Sequence, residues 1–285
     1  MLFPFPLRAI ISRFCCAGLL LVGSSPVCLY ADAWTQPQGH GQLILTSSFY
    51  ATSHSFDAEG AVRSFGYGGV FKQFQVNPYL EYGLTSRTTL LVNAFAPYMK
   101  FSNQYSSQAS AGFGNIETGI RRRLNSSESL TPISAQFTAT FPTYSADRQP
   151  PPGNHQADIE SKLMIGRGVR WLGRSAFWSL GGAYRYRTGA PADQFRSDAT
   201  AGLDLSHRLT AITQFFGITG LRNGQSLVYG GNPNAQSDFD LYKAQISLVT
   251  RVGRRTRLQF GWNDTLAGRN TGRGHTLLIS LWQDF

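Results

Sequence analysis

The sequence predicts an all-β protein: a closed antiparallel transmembrane β-barrel of about 12 strands, with short periplasmic turns and longer extracellular loops. Three observations lead to this fold. Segments of about ten residues carry apolar side chains at every second position, as strands with one apolar face do. Only 15% of the 285 residues are charged, whereas 13% are aromatic. The connections between segments are tight turns and longer polar loops in alternation.

The first 33 residues have the pattern of a secretory signal peptide. Arg8 and Arg13 precede an apolar run, and small residues near Ala33 offer a cleavage site. The sequence therefore predicts a cleaved signal peptide over residues 1–33. An uncleaved anchor is the alternative, but the apolar run is much shorter than the roughly 20 residues that a membrane-spanning helix needs.

The mature chain, residues 34–285, is predicted to be the barrel and to contain no cysteine. All three cysteines lie in the leader: Cys15, Cys16 and Cys28. Disulfides, thiolate metal sites and cysteine nucleophiles are therefore not expected in the exported protein.

Twelve segments of the mature chain alternate between apolar and polar residues. In one of them, Ile133, Ala135 and Phe137 alternate with Ser134 and Gln136. In chain order, the predicted strands are 41–53, 74–82, 90–98, 115–121, 133–141, 158–165, 178–187, 195–204, 211–221, 242–252, 257–263 and 275–285. Tight turns are predicted near 83–87, 124–130, 168–174, 206–209 and 253–255, and longer loops near 54–70, 99–109, 144–156, 188–192, 222–238 and 268–273.

A soluble β-sandwich or lipocalin-like barrel also has alternating strands, but its apolar stripe faces inward and its charged residues face water. The low charge of this chain does not supply such a surface. In hydrocarbon an unpaired backbone group costs several kcal/mol, so a membrane-spanning sheet must close on itself. We therefore expect apolar side chains to face lipid and polar side chains to face the interior.

The last strand ends in an aromatic residue with apolar residues in phase behind it. This arrangement resembles the signal that the barrel assembly machinery reads, and it predicts that machinery as a partner. The residues of the predicted assembly signal are Leu277, Ile279, Leu281 and Phe285.

Arginines concentrate in and beside the five short turns. If these turns are periplasmic, the arginines lie beside an anionic phospholipid leaflet; alternatively, they are solvated ends of strands. One end of the barrel should in either case be more positive than the other. The residues are Arg87, Arg121, Arg122, Arg123, Arg167, Arg170, Arg174, Arg208, Arg251, Arg254, Arg255 and Arg257.

Charged residues of both signs lie on the polar faces of neighbouring strands. They predict a ladder of opposite charges inside the barrel, which either tunes a pore, as rings of charge do in channels, or only ties the wall together. The candidate lumen-lining residues are Glu81, Glu117, Arg121, Asp158, Glu160, Lys162, Arg185, Arg187, Arg196, Asp198, Asp204 and Lys243.

The sequence predicts neither an enzyme nor a cofactor-binding protein. The five histidines lack the His-x-Ser-Asn-Gly pattern of outer-membrane phospholipase, and no residues have metal-ligand spacing. A dispersed catalytic triad is spatial, so a barrel lipid hydrolase stays open as the least favoured alternative. A basic exported protein does not ordinarily meet nucleic acid, and no nucleic-acid partner is predicted.

Three motifs resemble a known family. Residues 34–42 begin Trp-Thr-Gln-Pro, residues 77–87 contain Glu-Tyr-Gly-Leu-Thr, and residues 184–187 read Tyr-Arg-Tyr-Arg. They are similar to the outer-membrane proteins grouped under the phenol-degradation meta-pathway name, within the outer-membrane β-barrel superfamily. The resemblance implies a barrel that passes small, sometimes aromatic, compounds.

Together these features predict a porin-like channel in the outer membrane of a Gram-negative bacterium, with both termini periplasmic. Small, aromatic or hydrophobic solutes would diffuse through a polar lumen, and outer-membrane lipid and lipopolysaccharide would be the surrounding partners. Long loops such as 144–156 and 222–238 would narrow the mouth. A non-conducting structural or surface-interaction barrel is the alternative.

Overall fold

The structure, a computed structural model, describes residues 33–225 and 231–285. The predicted signal peptide lies outside the described residues except for Ala33. The described residues form fifteen strands and one turn of 3-10 helix, Gly66–Gly68. The strands are β1 (Gly41–Phe56), β2 (Val62–Ser64), β3 (Val70–Thr85), β4 (Thr88–Ala94), β5 (Ala96–Ser102), β6 (Ser107–Ala111), β7 (Asn115–Arg123), β8 (Ile133–Pro142), β9 (Asp158–Trp171), β10 (Arg174–Arg187), β11 (Gln194–Asp204), β12 (Leu209–Gly220), β13 (Asp240–Arg251), β14 (Thr256–Arg269) and β15 (Thr271–Asp284).

The strands form one antiparallel sheet that closes into a barrel. β15 pairs with β14 and with β1, and β1 pairs in turn with β3, so the wall is continuous. Both β4 and β5 pair with β3 and are two halves of one wall strand, joined at Phe95. β6 and β7 are the halves of the next wall strand, and β2 is a short addition beside β1. The wall therefore has twelve strands, and the predicted fold class is confirmed.

Side chains alternate between the two faces of the wall as predicted. On β15, Leu277 and Ile279 are 61% and 53% exposed, whereas Ser280 and Trp282 are 1% and 8% exposed. A soluble barrel would bury its apolar set instead. The apolar outer face meets lipid, and the soluble alternatives are excluded. Among the residues the structure describes, no helix is long and apolar enough to cross a bilayer.

The two ends of the barrel differ in their connections. The turn end has the links 86–87, 124–132, 172–173, 205–208 and 252–255. The loop end has the links 57–69, 103–106, 143–157, 188–193 and 221–239, of which 57–69, 143–157 and 221–239 are longer than any link at the turn end. This division agrees with the predicted short turns and most of the predicted loops. It is the arrangement of outer-membrane barrels, whose short turns are periplasmic.

The predicted long loop over residues 268–273 is wrong, because Asn270 alone links β14 to β15. Asn270 has a φ of 51°, in the left-handed region that asparagine tolerates better than most residues. The glycines in this segment serve close packing. A Cβ atom on Gly272 would lie 2.5 Å from the hydroxyl oxygen of Tyr50.

Candidate functional site: the barrel interior

Eight of the predicted lumen-lining residues form a cluster of ion pairs inside the barrel, toward the loop end. They comprise four acids and four bases, so their formal charges cancel. We call this cluster the charge ladder: Glu117, Asp158, Glu160, Lys162, Arg185, Arg187, Arg196 and Asp198.

Arg185 lies at the centre of the charge ladder. Its Nε atom is 2.8 Å from Glu160 Oε2, its Nη2 atom 3.1 Å from Glu117 Oε2, and its Nη1 atom 3.5 Å from Asp158 Oδ2. Glu117 is on β7 and Arg185 on β10, so this contact reaches past two intervening strands through the interior. Residues of opposite charge on neighbouring and on more distant strands therefore pair inside the barrel.

Further pairs extend the ladder along the same wall. Arg196 Nη1 lies 2.9 Å from Glu160 Oε2, and Arg187 Nε lies 3.8 Å from Asp158 Oδ1. All these acids and bases have charged partners that offset the cost of removing them from bulk water. The ladder therefore presents polar groups to the interior with little net charge.

One ion pair of the ladder depends on a glycine. Lys162 Nζ lies 2.6 Å from Asp198 Oδ1, although β10 runs between their strands. Gly181 of β10 leaves the space: a Cβ atom there would lie 2.5 Å from Lys162 Cε and 2.7 Å from Asp198 Oδ2. The missing side chain lets the pair cross the intervening strand.

A cavity of about 410 Å³ occupies the barrel interior between strands on opposite sides of the wall. Apolar and aromatic side chains line part of it: Ile44, Phe177, Ile212, Phe216, Leu278 and Trp282. Side-chain amides line another part: Gln42, Asn77, Gln214, Gln245 and Gln259. This mixed lining can contact an apolar body and also hydrogen-bond a polar substituent.

The aromatic part of this lining was not predicted from the sequence, although the sequence contains a signal for it. Alternation puts adjacent residues on opposite faces, so a pair of neighbouring apolar residues sends one of them inward. Phe215 is exposed on the outside while Phe216 lines the cavity, and Leu281 and Trp282 divide in the same way.

Residues 33–38, which we call the N-terminal segment, lie inside the barrel at the turn end. Ala33 is fully buried, and its carbonyl oxygen accepts a hydrogen bond of 2.7 Å from Ser134 Oγ. The Trp34 ring packs edge-on against Phe177, with 6.3 Å between ring centroids. A Cβ atom on Gly166 would lie 2.6 Å from this ring, so the bare backbone there makes room for Trp34.

Two more predicted lumen residues, Glu81 and Arg121, hold the N-terminal segment. Arg121 Nη1 lies 3.0 Å from Glu81 Oε1 and donates a hydrogen bond of 2.9 Å to the Trp34 carbonyl oxygen. Gln36 Nε2 donates a bond of 2.8 Å to Glu81 Oε2, and the Gln36 backbone N–H donates one of 2.8 Å to Thr89 Oγ1. The turn end of the interior is thus occupied by an anchored piece of the chain.

Two long loops contact each other at the loop end. Asn232 Nδ2 donates a hydrogen bond of 2.7 Å to the Pro151 carbonyl oxygen, and Asn154 Nδ2 donates one of 3.1 Å to the Gln236 carbonyl oxygen. Ser237 is buried, and its carbonyl oxygen accepts a bond of 3.0 Å from Arg187. The loops that the sequence placed at the mouth therefore fold together over the charge ladder.

The remaining two predicted lumen residues stand apart from these clusters. Asp204 lies near the turn end and accepts a hydrogen bond of 2.7 Å from Thr210 Oγ1. Lys243 lies on β13, and its Nζ atom is 5.8 Å from the centre of the Tyr50 ring. Among the described residues, no carboxylate forms an ion pair with Lys243.

The predicted assembly-signal residues lie at the seam between the first and last strands. Leu277, Ile279 and Leu281 face outward, and the Phe285 backbone N–H donates a hydrogen bond of 2.9 Å to the Gly41 carbonyl oxygen. Their role in assembly stays a prediction.

The structure places the twelve arginines of the short turns at or near the turn end. The described carboxylates at that end are Glu81, Glu128, Asp204 and Asp284. The turn end is therefore strongly positive, as predicted. Within the described part of the chain, no group of three or more His, Cys, Asp or Glu residues could hold a metal ion.

No family model matches the chain, and no curated protein sequence matches it. Solved structures do match. The chain is 14% identical to the COG4313 outer membrane channel from Pseudomonas putida F1, over 90% of this chain and 99% of that one, with a TM-score of 0.66. It is 6% identical to the NanC porin, over 84% of this chain and 98% of that one, with a TM-score of 0.52. For the transport unit of the autotransporter AIDA-I from Escherichia coli, the identity is 9%, the coverage 89% and 92%, and the TM-score 0.50.

The chain has the fold of an outer-membrane β-barrel. At sequence identities this low, the structural similarity establishes the fold alone. The exposed apolar belt of the barrel supplies the surface that a bilayer requires. The predicted fold of an outer-membrane β-barrel is therefore confirmed, as is the predicted location in the outer membrane.

Proposed function

We propose that this outer-membrane barrel is a passive channel for small solutes with an apolar or aromatic body. The cavity of about 410 Å³ between the charge ladder and the N-terminal segment carries the proposal. Small-molecule sites combine apolar contact with a few placed polar groups. The apolar contact comes from Phe177, Phe216 and Trp282, and the polar groups are the side-chain amides of Gln214 and Gln245.

The balance of charges in the interior indicates that the solutes carry little or no charge. Acids and bases of the charge ladder neutralise each other, so they set up only a weak net field along the barrel axis. An uncharged solute would meet no strong electrostatic barrier there. The mechanism is diffusion down a concentration gradient, with no chemical step and no cofactor.

The position of the N-terminal segment supports a second candidate function, that of a non-conducting structural barrel. It occupies the turn end of the interior, and solute passage through that end requires the segment to shift. If the barrel is a channel, movement of the segment should open and close it, so the current should change in steps. Loss of the segment should then raise the current.

The test is single-channel recording of purified protein in planar bilayers, with an aromatic alcohol and a sugar alcohol of similar size as probes. We expect discrete current steps that the aromatic probe interrupts more often than the sugar alcohol does. Phe216→Trp, which fills the cavity, should reduce the current and the interruptions. Phe215→Trp is the matched control, since the neighbouring side chain faces lipid.

Two results would contradict the proposal. Absence of steps, both in the whole mature chain and in a variant lacking residues 34–38 of the N-terminal segment, would establish the non-conducting barrel. Equal effects of Phe215→Trp and Phe216→Trp would remove the cavity from the solute path.

A further inference from the structure

The outer face of the barrel changes from apolar to basic along one line near the loop end. Leu277 of β15 pairs with Phe49 of β1, Phe49 with Phe74 of β3, and Phe74 with Tyr98 of β5. All four side chains are exposed on the outside. They form the last apolar row of the lipid-facing belt on these four strands.

The next outward-facing row toward the loop end carries positive charge. His275 pairs with Ala51, Ala51 with Lys72, and Lys72 with Lys100. Arg273 is two residues further along β15 from His275, and it is also exposed. We call Lys72, Lys100, Arg273 and His275 the basic row.

Lys72 and Lys100 are directly opposite each other on adjacent strands, where two like charges destabilise a sheet unless something offsets them. Within the described residues, no carboxylate forms an ion pair with Lys72, Lys100 or Arg273. The one acid in the row is Asp264 of β14, which is in register with His275 and has three strands between it and Lys100. The basic row therefore has a surplus of positive charge that the protein itself leaves unpaired.

The row is confined to one side of the barrel. On β8 to β11, on the other side of the barrel, the exposed outward residues toward the loop end are aromatic or aliphatic: Phe141, Ile159, Tyr186 and Phe195. A general affinity for a charged bilayer surface would place bases around the whole circumference. A basic row on one side of the barrel, next to an exposed apolar row on the same strands, instead fits an amphipathic molecule with an anionic headgroup.

We propose that the basic row is a binding site for the phosphate groups of an outer-leaflet glycolipid, whose acyl chains lie against Phe49, Phe74, Tyr98 and Leu277. The Cα atoms of opposite residues on antiparallel strands are about 5 Å apart, so one phosphate can reach both lysine ammonium groups. The phosphate relieves the repulsion between Lys72 and Lys100, and Arg273 offers a fork of donors to a second phosphate. The site depends on the outer-membrane location and is independent of the proposed channel function.

The test uses the purified mature protein in neutral detergent and measures retention of lipopolysaccharide by native mass spectrometry. The double variant K72Q/K100Q should weaken retention about tenfold or more, since two charges are lost from the site. K72R/K100R should retain the lipid, because the charges stay. The matched control is R254Q/R255Q, which removes two exposed charges at the turn end and should change retention little.

The source of the phosphate is decided by three other probes. Glycolipid from which the phosphates have been removed should bind weakly, and millimolar inorganic phosphate should not displace the intact lipid. Equal retention of phosphate-free glycolipid would overturn the proposal, as would equal losses in K72Q/K100Q and R254Q/R255Q. Binding of phosphatidylglycerol vesicles as tight as that of lipopolysaccharide would also overturn it, because the site would then be a general anionic-lipid surface.

Discussion

Arg121 Nη1 lies 3.0 Å from Glu81 Oε1, and the two side chains are only 3% and 6% exposed. The same two residues bind Trp34 and Gln36 of the N-terminal segment. A buried ion pair adds little stability over an apolar pair, but removing one partner leaves an uncompensated charge. The pair therefore couples the integrity of the turn end to the position of the segment.

Arg121→Ala should release the N-terminal segment. We expect a loss of roughly 3–5 kcal/mol in the free energy of unfolding, because Glu81 stays buried without its partner, and a rise in single-channel conductance. Arg122→Ala is the control, since Arg122 is exposed on the next position of the same strand. Similar conductance for the two variants would show that the segment does not obstruct the path.

Gly181→Ala should break the ion pair between Lys162 and Asp198. The new methyl group would have to displace both side chains, which typically costs about 1–3 kcal/mol for an overpacked site. Gly182→Ala is a close control, because its Cβ atom would meet only Phe195 Cζ at 3.8 Å. Guanidinium unfolding of the barrel in lipid vesicles measures both. A destabilisation as large in Gly182→Ala would point to strand propensity as the cause.

Lys243→Gln should make the proposed channel less favourable for anions. Lys243 is the predicted lumen cation for which no carboxylate partner exists among the described residues, whereas the charge ladder neutralises its own cations. We expect the reversal potential in a potassium chloride gradient to move toward cation selectivity. Lys72→Gln removes the same charge from the outer face and should leave the potential unchanged. A shift of equal size in both variants would refute a specific role for Lys243.

Acid should loosen the loop-end contact that Asp193 makes. Its carboxylate accepts hydrogen bonds from the Tyr184 hydroxyl at 2.7 Å, from the Arg187 backbone N–H at 2.8 Å and from Asn223 Nδ2 at 2.8 Å. Desolvation raises the pKa of Asp193, but these bonds and the Arg187 charge outweigh it and hold the pKa below its ordinary value. The stabilisation is therefore complete above about pH 4, the ordinary pKa of an aspartate, and disappears as the pH falls through the lower folded-state pKa.

Hydrogen exchange of residues 188–193 and 221–225 measures this pH effect, after correction for the intrinsic exchange rate. Protection should fall in strongly acidic solution in the wild type. Asp193→Asn should show low protection at every pH, because it cannot offer a charged acceptor. If protection still depends on pH in the variant, the pH dependence belongs to another titratable group.

The fold was predictable because its signal is repeated along the chain. Ile133, Ala135 and Phe137 alternate with smaller or polar residues, and each wall strand repeats this pattern, so single exceptions do not hide it. The loop expected at residues 268–273 was wrong because Gly272 makes room for the Tyr50 side chain and is not part of a flexible link. Such a role depends on a side chain that is more than 200 positions away in sequence.

The charge ladder was predictable in part, because Glu160 and Arg185 are on consecutive strands with the same inward phase. The contact between Arg185 and Glu117 was not, since it crosses the interior between distant strands. The N-terminal segment was also missed: Trp34 lies outside every alternating segment, and nothing local to it indicates that it packs on Phe177. Inward aromatic residues were recoverable from neighbouring apolar pairs such as Phe215 and Phe216.

The seam of the barrel has a consequence for how the protein folds. Gln42 Nε2 binds Asp284 Oδ1 across a separation of 242 positions, so the seam cannot form until the chain between them is brought together. Contacts of such long range make folding slow, because the entropy of loop closure is lost before the contacts can compensate for it. An intermediate without the seam would present two raw edges of hydrogen-bonding groups to hydrocarbon. Partially closed forms should therefore be short-lived. A substitution that disrupts the pairing of any one wall strand should destabilise the whole barrel.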